Sequence, residues 1–247
     1  MKLLEVKNVS HAYESRPVIE GVSFDVNEGE TVCLIGTSGV GKTTLFQVLS
    51  GLVKPLGGEV LLKGENIVGK TGRVSYMLQK DMLLPFKTVQ DNVALPFRIG
   101  GMSPKKAREK VSPYFKQFGL DGTQTKYPSE LSGGMRQRAA FMRTYCFGHS
   151  LMLLDEPFSA LDEMTRQDMY DWYLKIAKEL NLTTVFISHN LEEAITLSDR
   201  VLVMSGSPGC IRHQLIVDRS GTEDEDFATT VKFAEYKKRL KQLLTTL

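Results

Sequence analysis

Between residues 3 and 35 the apolar positions either alternate with polar ones or follow each other without a break, in the runs LLEVKNV, VSFDV and TVCLIG. Interrupted by the turn-forming Asn27-Glu28-Gly29, these runs predict strands. KTTLFQVLSGL, starting at Lys42, has helical spacing instead. Gly57-Gly58 then separates it from EVLLKGENI, which reads as one strand of a peripheral sheet, and VSYML at 74 to 78 reads as another. From about Thr88 to Phe147 the pattern becomes one of polar-apolar helices, with Ser103-Pro104 as a helix start, and predicts a helical subdomain inserted into an α/β core. The core resumes with the apolar strands SLMLLD, TTVFIS and RVLVMS, separated by helix-length segments at 162 to 181 and 190 to 198. Continuous apolar strands alternating with helices imply a largely parallel sheet covered on both faces. A last helix is expected over about 222 to 247. Thr222 and Glu225 fit a capping box, and Phe227, Val231, Tyr236, Leu240, Leu243 and Leu247 recur at near-helical spacing.

Composition narrows the class. With 42% hydrophobic and 24% charged residues over 247 positions, the chain has material for an ordinary core and is not disordered. Its net charge of +2 carries no basic run before the last dozen residues, so nucleic acid is not an expected partner. No apolar run approaches the roughly 20 residues needed to span a bilayer. Glu5 and Lys7 stand where an export signal would need apolar residues. Cys33, Cys146 and Cys210 are far apart and form no Cys-x-x-Cys pair, which favours reduced thiols over a disulfide or zinc framework.

Candidate chemistry begins at Gly36-Thr37-Ser38-Gly39-Val40-Gly41-Lys42-Thr43, with Thr44 following. This G-x-x-x-x-G-K-[ST] pattern directly follows an apolar strand and opens a helix. Its glycines let backbone N–H groups turn toward phosphate oxygens, Lys42 reaches the β- and γ-phosphates, and the Thr43 hydroxyl can ligate Mg²⁺. The loop alone says only that a nucleoside triphosphate binds. In LMLLDEP, an apolar strand ends in two acids: Asp155 is expected in the Mg²⁺ shell and Glu156 as the group that polarises water, the strand pleat turning them to opposite sides. Ser132-Gly133-Gly134, opening a third predicted helix, is a second anion cradle. One nucleotide does not need two such cradles far apart in one chain, so this one is expected to serve a nucleotide held by another chain.

At this point the sequence resembles the ATP-binding subunit of ABC transporters over essentially its whole length. LSGGMRQR is similar to that family's signature and lies, as there, between the phosphate loop and the acidic strand. The resemblance implies further roles. Tyr13 matches the aromatic that stacks on adenine, and Gln79 the glutamine that senses Mg²⁺ and attacking water. Ser159 to Asp162 resembles the loop passing between two nucleotide sites, and His189 the switch histidine at the γ-phosphate. FSALDEMTRQDMYDWYLKI and ISHNLEEAITLSDRVLVMSGSPGCI resemble the nitrate/sulfonate/taurine type of importer, which includes carriers of pyrimidine precursors. Two departures stand out. Asn190 replaces the usual acid after the histidine, and Thr144-Tyr145-Cys146 replaces a small-residue helix turn.

The expected molecule is therefore an α/β protein: a P-loop NTPase, RecA-like core with an antiparallel β subdomain and an inserted helical subdomain. One nucleotide-binding domain covers 1 to 247 and uses ATP and Mg²⁺. The resemblance implies a head-to-tail dimer with a second copy, membrane permease subunits, an indirectly linked substrate-binding protein, and a place on the cytoplasmic face of the membrane. The segment after Gln79, with Leu83, Leu84, Pro85 and Phe86 exposed, is the expected permease-docking groove. Three rivals remain at this stage. An exporter or lipoprotein-releasing ATPase is disfavoured only by the subfamily resemblance. A soluble ABC-type protein usually pairs two such domains or carries a coiled coil. A P-loop GTPase needs Asn-Lys-x-Asp, and no Asn here precedes Lys.

Overall fold

The structure, a computed structural model, describes residues 1–220 and 227–245. Two sheets form around the segments expected to be strands. β1 (Lys2–Tyr13), β2 (Arg16–Asn27), β4 (Gly57–Leu62) and β5 (Glu65–Asn66) make an antiparallel sheet in the order β2-β1-β4-β5. The second sheet combines β3 (Thr31–Gly36), β6 (Ser75–Met77), β7 (Met152–Asp155), β8 (Thr184–Ser188), β9 (Arg200–Ser205) and β10 (Cys210–Ile216) in the order β10-β9-β3-β8-β7-β6. Its pairs are parallel except for β10 against β9.

β3 shows why its sequence is apolar throughout. Val32 and Leu34 join a core shared with the antiparallel sheet and with Leu45, Phe46, Val48 and Leu49 of α1 (Lys42–Leu49). Cys33 and Ile35 point the other way, into a core with the helices. Burial on both faces removes the need for a polar side, and period-two alternation becomes a choice between two cores.

The segment from 89 to 145 is helical: α2 (Val89–Val93), α3 (Leu95–Ile99), α4 (Pro104–Val111), α5 (Tyr114–Gln117) and α6 (Gly133–Tyr145). Pro104 takes the first position of α4, where its missing N–H leaves no bond unmade. The unusual Thr144-Tyr145 turn fits because the Thr144 hydroxyl donates to the Ala140 carbonyl (2.9 Å). The Tyr145 ring packs 5.5 Å from both Tyr114 and Phe118. α7 (Glu163–Glu179) and α8 (Leu191–Leu197) complete the crossovers, and α9 (Val231–Thr245) follows the sheet.

Four expectations need correction. EVLLKGENI is two strands, because Lys63 and Gly64 both take positive φ (52° and 80°) and reverse the chain into a hairpin. β10 was not anticipated. Its exposed Arg212, His213 and Gln214 are tolerable on an edge strand, where one side of the backbone ladder is unshared. The terminal helix starts later than expected, at Val231, where the Thr230 hydroxyl accepts from the Phe233 N–H (3.2 Å). The Thr222 and Glu225 of the expected capping box lie outside the described residues. Leu83 is buried rather than exposed, at 8%. The buried Asn92 side chain accepts from Leu84 N–H (2.7 Å) and donates to the Leu84, Lys87 and Thr88 carbonyls, which turns this segment inward at Leu83 and leaves Met82 and Phe86 outside. Among the described residues, no helix is long and apolar enough to cross a membrane.

Candidate active site

Parallel pairing places the carboxyl ends of β3, β8, β7 and β6 side by side at one sheet edge, with Ile35 opposite Ser188 and Asp155 opposite Ile187. Ligands of open α/β sheets bind at such an edge. The chain leaves β3 as the Gly36 to Thr43 loop, β8 as His189, β7 as Glu156 and β6 toward Gln79. Neighbouring strands lie about 4.8 Å apart, so residues remote in sequence meet here within side-chain reach.

Backbone geometry requires the loop's glycines. Gly41 has φ 102°, and a Cβ there would stand 2.5 Å from the Ile19 side chain. At Gly36 a Cβ would meet the Met204 carbonyl oxygen at 2.3 Å. The loop encloses the buried Lys42, whose ammonium donates to the Gly36 (2.8 Å) and Thr37 (3.0 Å) carbonyls. Burial lowers its pKa, while the nearby Glu156 and Asp155 carboxylates oppose that shift and favour the cation. The cation is thus held at the floor of a cleft of about 350 Å³, lined by Ser38, Gly39, Gly41, Thr43, Thr44, Glu156 and His189.

Asp155 is buried at the end of β7. Burial pushes its carboxyl pKa up, and hydrogen bonds from Tyr76 (O–H to Oδ2, 3.3 Å) and Thr43 partly offset the shift. Tyr76 was not singled out from the sequence. The readable signal was its place in VSYML, between Ser75 and Met77 and so on the opposite face of that strand.

Glu156 meets other partners than Asp155, but not through the strand pleat. It lies beyond the strand with φ 46°, in the left-handed region that non-glycine residues rarely adopt. Its N–H donates to the Ile187 carbonyl (3.2 Å), and its Oε2 accepts from Gln79 Nε2 (2.8 Å) and lies 3.5 Å from His189 Nδ1. Gln79 and His189 therefore converge on the Glu156 carboxylate beside Lys42. Gln79 meets Glu156 here rather than Asp155 and Thr43.

Asn190, the departure from the expected acid, caps α8: its Oδ1 accepts from the Glu192 (2.8 Å) and Glu193 (3.3 Å) N–H groups. An amide oxygen performs this task as a carboxylate would, so the histidine loop keeps its anchor. Tyr13 is half exposed. Its ring meets that of His11 edge-on at 4.8 Å, and its hydroxyl donates to Gln47 Oε1 (3.0 Å). It borders a second cleft of about 890 Å³ shared with Thr37, Ser38, Gly39 and Val40, so an aromatic face lies beside the phosphate loop.

Ser132, Gly133 and Gly134 do not line the Lys42 cleft. Ser132 caps α6 by accepting from the Met135 N–H (3.3 Å), and Gly134 packs against Thr165 of α7. Gly133 borders a third cleft, of about 650 Å³, with Gln79, Glu156 and His189.

A glycine-built phosphate loop, its lysine, and a carboxylate gathered with a glutamine and a histidine at one sheet edge define a P-loop ATPase. The model of the family described as ABC transporter matches residues 19–159, and the chain belongs to that family as an ATP-binding subunit that hydrolyses ATP. It is 41% identical over 208 residues to the formylaminopyrimidine import ATP-binding protein ThiZ of Halalkalibacterium halodurans, covering 84% of this chain and 81% of that protein. It is 36% identical over 202 residues to the aliphatic sulfonates import ATP-binding protein SsuB of Bacillus cereus, covering 82% and 79%. Among solved structures, the dimeric post-hydrolysis state of the ATP-binding cassette MJ0796, bound to ADP and Pi, matches with TM-score 0.74 and 25% identity over 87% of this chain and 99% of that one. A Clostridium perfringens subunit described as part of the ABC transporter complex cbiONQ matches in fold, with TM-score 0.80 and 22% identity over 99% and 98%.

Proposed function

We propose that this chain energises the import of a small solute of the nitrate, sulfonate, taurine or pyrimidine-precursor type through separate membrane permease subunits. It acts as a head-to-tail pair with a second copy, at the cytoplasmic face of the membrane. A substrate-binding protein delivers the solute and meets this chain only through the permease. The observation that carries the ATPase part is the convergence of Gln79 Nε2 and His189 Nδ1 on Glu156 Oε2 beside Lys42. The likeness to ThiZ and SsuB supports the solute class.

In this reading Tyr13 stacks on adenine, the Gly36 to Thr44 backbone donates to the phosphates, and Lys42 leaves the Gly36 and Thr37 carbonyls for the β/γ-phosphate oxygens. Glu156 takes a proton from water as the water oxygen bonds to the γ-phosphorus. The bond to the bridging oxygen breaks, and ADP and phosphate result. His189 meets the γ-phosphate, and Gln79 orients the water through the bond it already makes to Glu156. Ser132, Gly133 and Gly134 supply the second cradle to the nucleotide of the opposite copy, consistent with their absence from the lining of the Lys42 cleft.

The donor set fits Mg²⁺. Thr43 lies beside Asp155, which is buried with a raised carboxyl pKa that a divalent cation would relieve. Among the described residues no group of three or more His, Cys, Asp and Glu that could by itself hold a metal ion is present. Gln79, bound to Glu156 here, would join the set only by giving up that bond. Bound there, Mg²⁺ would neutralise charge on the phosphate oxygens.

Uptake of labelled formylaminopyrimidine, aliphatic sulfonate, taurine and nitrate, compared between cells with and without this chain, tests the solute class. Loss of uptake of one solute is expected. Unchanged uptake of all four overturns the solute class and leaves the ATPase reading to be judged by hydrolysis.

A further inference from the structure

Glu193 is a carboxylate buried to 4% in α8, where an apolar side chain would fit among its buried neighbours Ala194, Ile195 and Leu197. Burial raises its pKa, against hydrogen bonds from Tyr170 and Ser188 and the nearby charges of His189 and Arg166. A buried carboxylate is expensive unless its bonds are made, and an apolar replacement is often as stable, so the acid is better explained by the geometry it fixes than by stability. That geometry joins the two loops flanking the reacting carboxylate. On one side the Tyr170 hydroxyl of α7 donates to Glu193 Oε2 (3.0 Å). The Tyr170 ring lies edge-on to Phe158 at 5.4 Å, two residues beyond Glu156. Arg166, on the same helix, donates to the Leu161 carbonyl (2.6 Å) in the loop that leads into α7. On the other side the Glu193 N–H donates to Asn190 Oδ1 (3.3 Å) and the Asn190 N–H donates to Ser188 Oγ (2.9 Å), so both neighbours of His189 are tied to the start of α8.

We infer that the Tyr170–Glu193 hydrogen bond is a positioning joint. It holds His189 at its distance from Glu156 and passes displacements of the Phe158 to Asp162 loop, which the head-to-tail reading turns toward the second copy, to the switch histidine. This rests on the reading of His189 as the group that meets the γ-phosphate. The His189 ring itself is exposed, so beyond its contact with Glu156 little packing fixes it. Its placement must come from the backbone on either side, and that backbone is tied through Ser188 and Asn190 to the start of α8. Tyr170 and Glu193 are buried and line neither the Lys42 cleft nor the cleft beside Gln79, so their effect is on rate rather than on nucleotide binding.

The test uses the full chain with MgATP and the variants Tyr170→Phe, Glu193→Gln and His189→Ala. Tyr170→Phe keeps the ring against Phe158 and removes only the hydroxyl. It is expected to lower kcat by roughly ten-fold, the order set by one buried hydrogen bond to a charged group, with KM and ATP affinity changed less than about two-fold. Glu193→Gln, whose amide oxygen still accepts from Tyr170, should retain most of kcat. With imidazole ¹⁵N labelling, Tyr170→Phe should move the resonances of His189 and leave those of His11, His149 and His213 in place. Wild-type kcat in Tyr170→Phe overturns the joint. So does movement of all four histidine signals together with loss of ATP affinity, which would mark a general packing role. Wild-type kcat in His189→Ala overturns instead the reading of His189 on which the joint rests.

Discussion

Replacing Glu156 by Gln separates the proposed chemistry from binding. The amide is the same size, and its oxygen can still accept from Gln79 Nε2, now at 2.8 Å, so the left-handed turn at this position and the wall of the cleft should stay as they are. What disappears is a proton acceptor and a negative charge. Loss of a general base costs about 10²- to 10⁴-fold in rate, equivalent to about 3 to 5 kcal/mol in the barrier. Loss of the charge acts in the other direction on binding. A carboxylate and a phosphate oxygen about 5 Å apart at an effective dielectric constant of about 20 repel by about 3 kcal/mol, and the variant is relieved of that. Lys42 keeps Asp155 as a neighbouring carboxylate, so its ammonium remains available to the phosphates. Glu156→Gln is therefore expected to bind ATP at least as well as wild type, to hydrolyse it at least about a hundred-fold more slowly, and to accumulate as an ATP-bound dimer. A phosphate-release assay beside size-exclusion chromatography in MgATP measures both. Hydrolysis near the wild-type rate would refute the base assignment and move it to His189. Lost hydrolysis without a dimer would leave the base in place and make dimerisation dependent on the permease.

Three further outcomes are expected. Lys42→Ala should weaken ATP binding by about ten- to a hundred-fold, the order of a charge-assisted hydrogen bond, and equal affinities by fluorescence titration would refute the phosphate-loop assignment. Ser132→Arg should leave ATP binding to an isolated chain intact and abolish hydrolysis, whereas lost binding in the monomer would contradict a cradle that serves the opposite copy. Asp91, whose carboxyl accepts from Arg108 Nε (2.7 Å) and Nη2 (2.9 Å), has its pKa lowered by that bond. A depressed carboxyl pKa stabilises the fold above the unfolded value of about 3.9 and loses that contribution as pH falls through the folded value. Asp91→Ala should accordingly lower the melting temperature at pH 7, with the gap to wild type closing below about pH 4; a gap that persists in acid would show that packing, not the ion pair, ties α2 to α4.

Local rules carried much of this molecule. Gly36 to Thr43 specifies a tight loop because its glycines tolerate positive φ and close backbone approach, and those constraints act within a few residues. Ser132 and Asn190 cap their helices through oxygens that reach N–H groups two or three residues on, a reach visible in the chain itself. The continuous apolar runs of β3, β7 and β8 announced a doubly covered sheet for the same reason: burial on both faces leaves no polar side to record. The resemblance to the ABC family then gave Gln79, Tyr13 and His189 roles that spacing alone did not.

Where partners are distant in sequence, the tertiary structure decided. Strand order, not any local signal, brings Gln79 and His189 to one oxygen of Glu156, and Tyr76 to Asp155. An expected pleat turned out to be a left-handed backbone, because the residue after Asp155 must leave the strand while its N–H still meets β8. Leu83 is buried because Asn92 gathers the backbone around it, and β10 forms because β9 offers an open edge; neither is written in its own hydrophobic pattern. The bond between Tyr170 and Glu193 belongs to the same class. A tyrosine on one helix and an acid on another carry no mutual signature in the sequence, and only the packing of α7 against α8 makes them a pair.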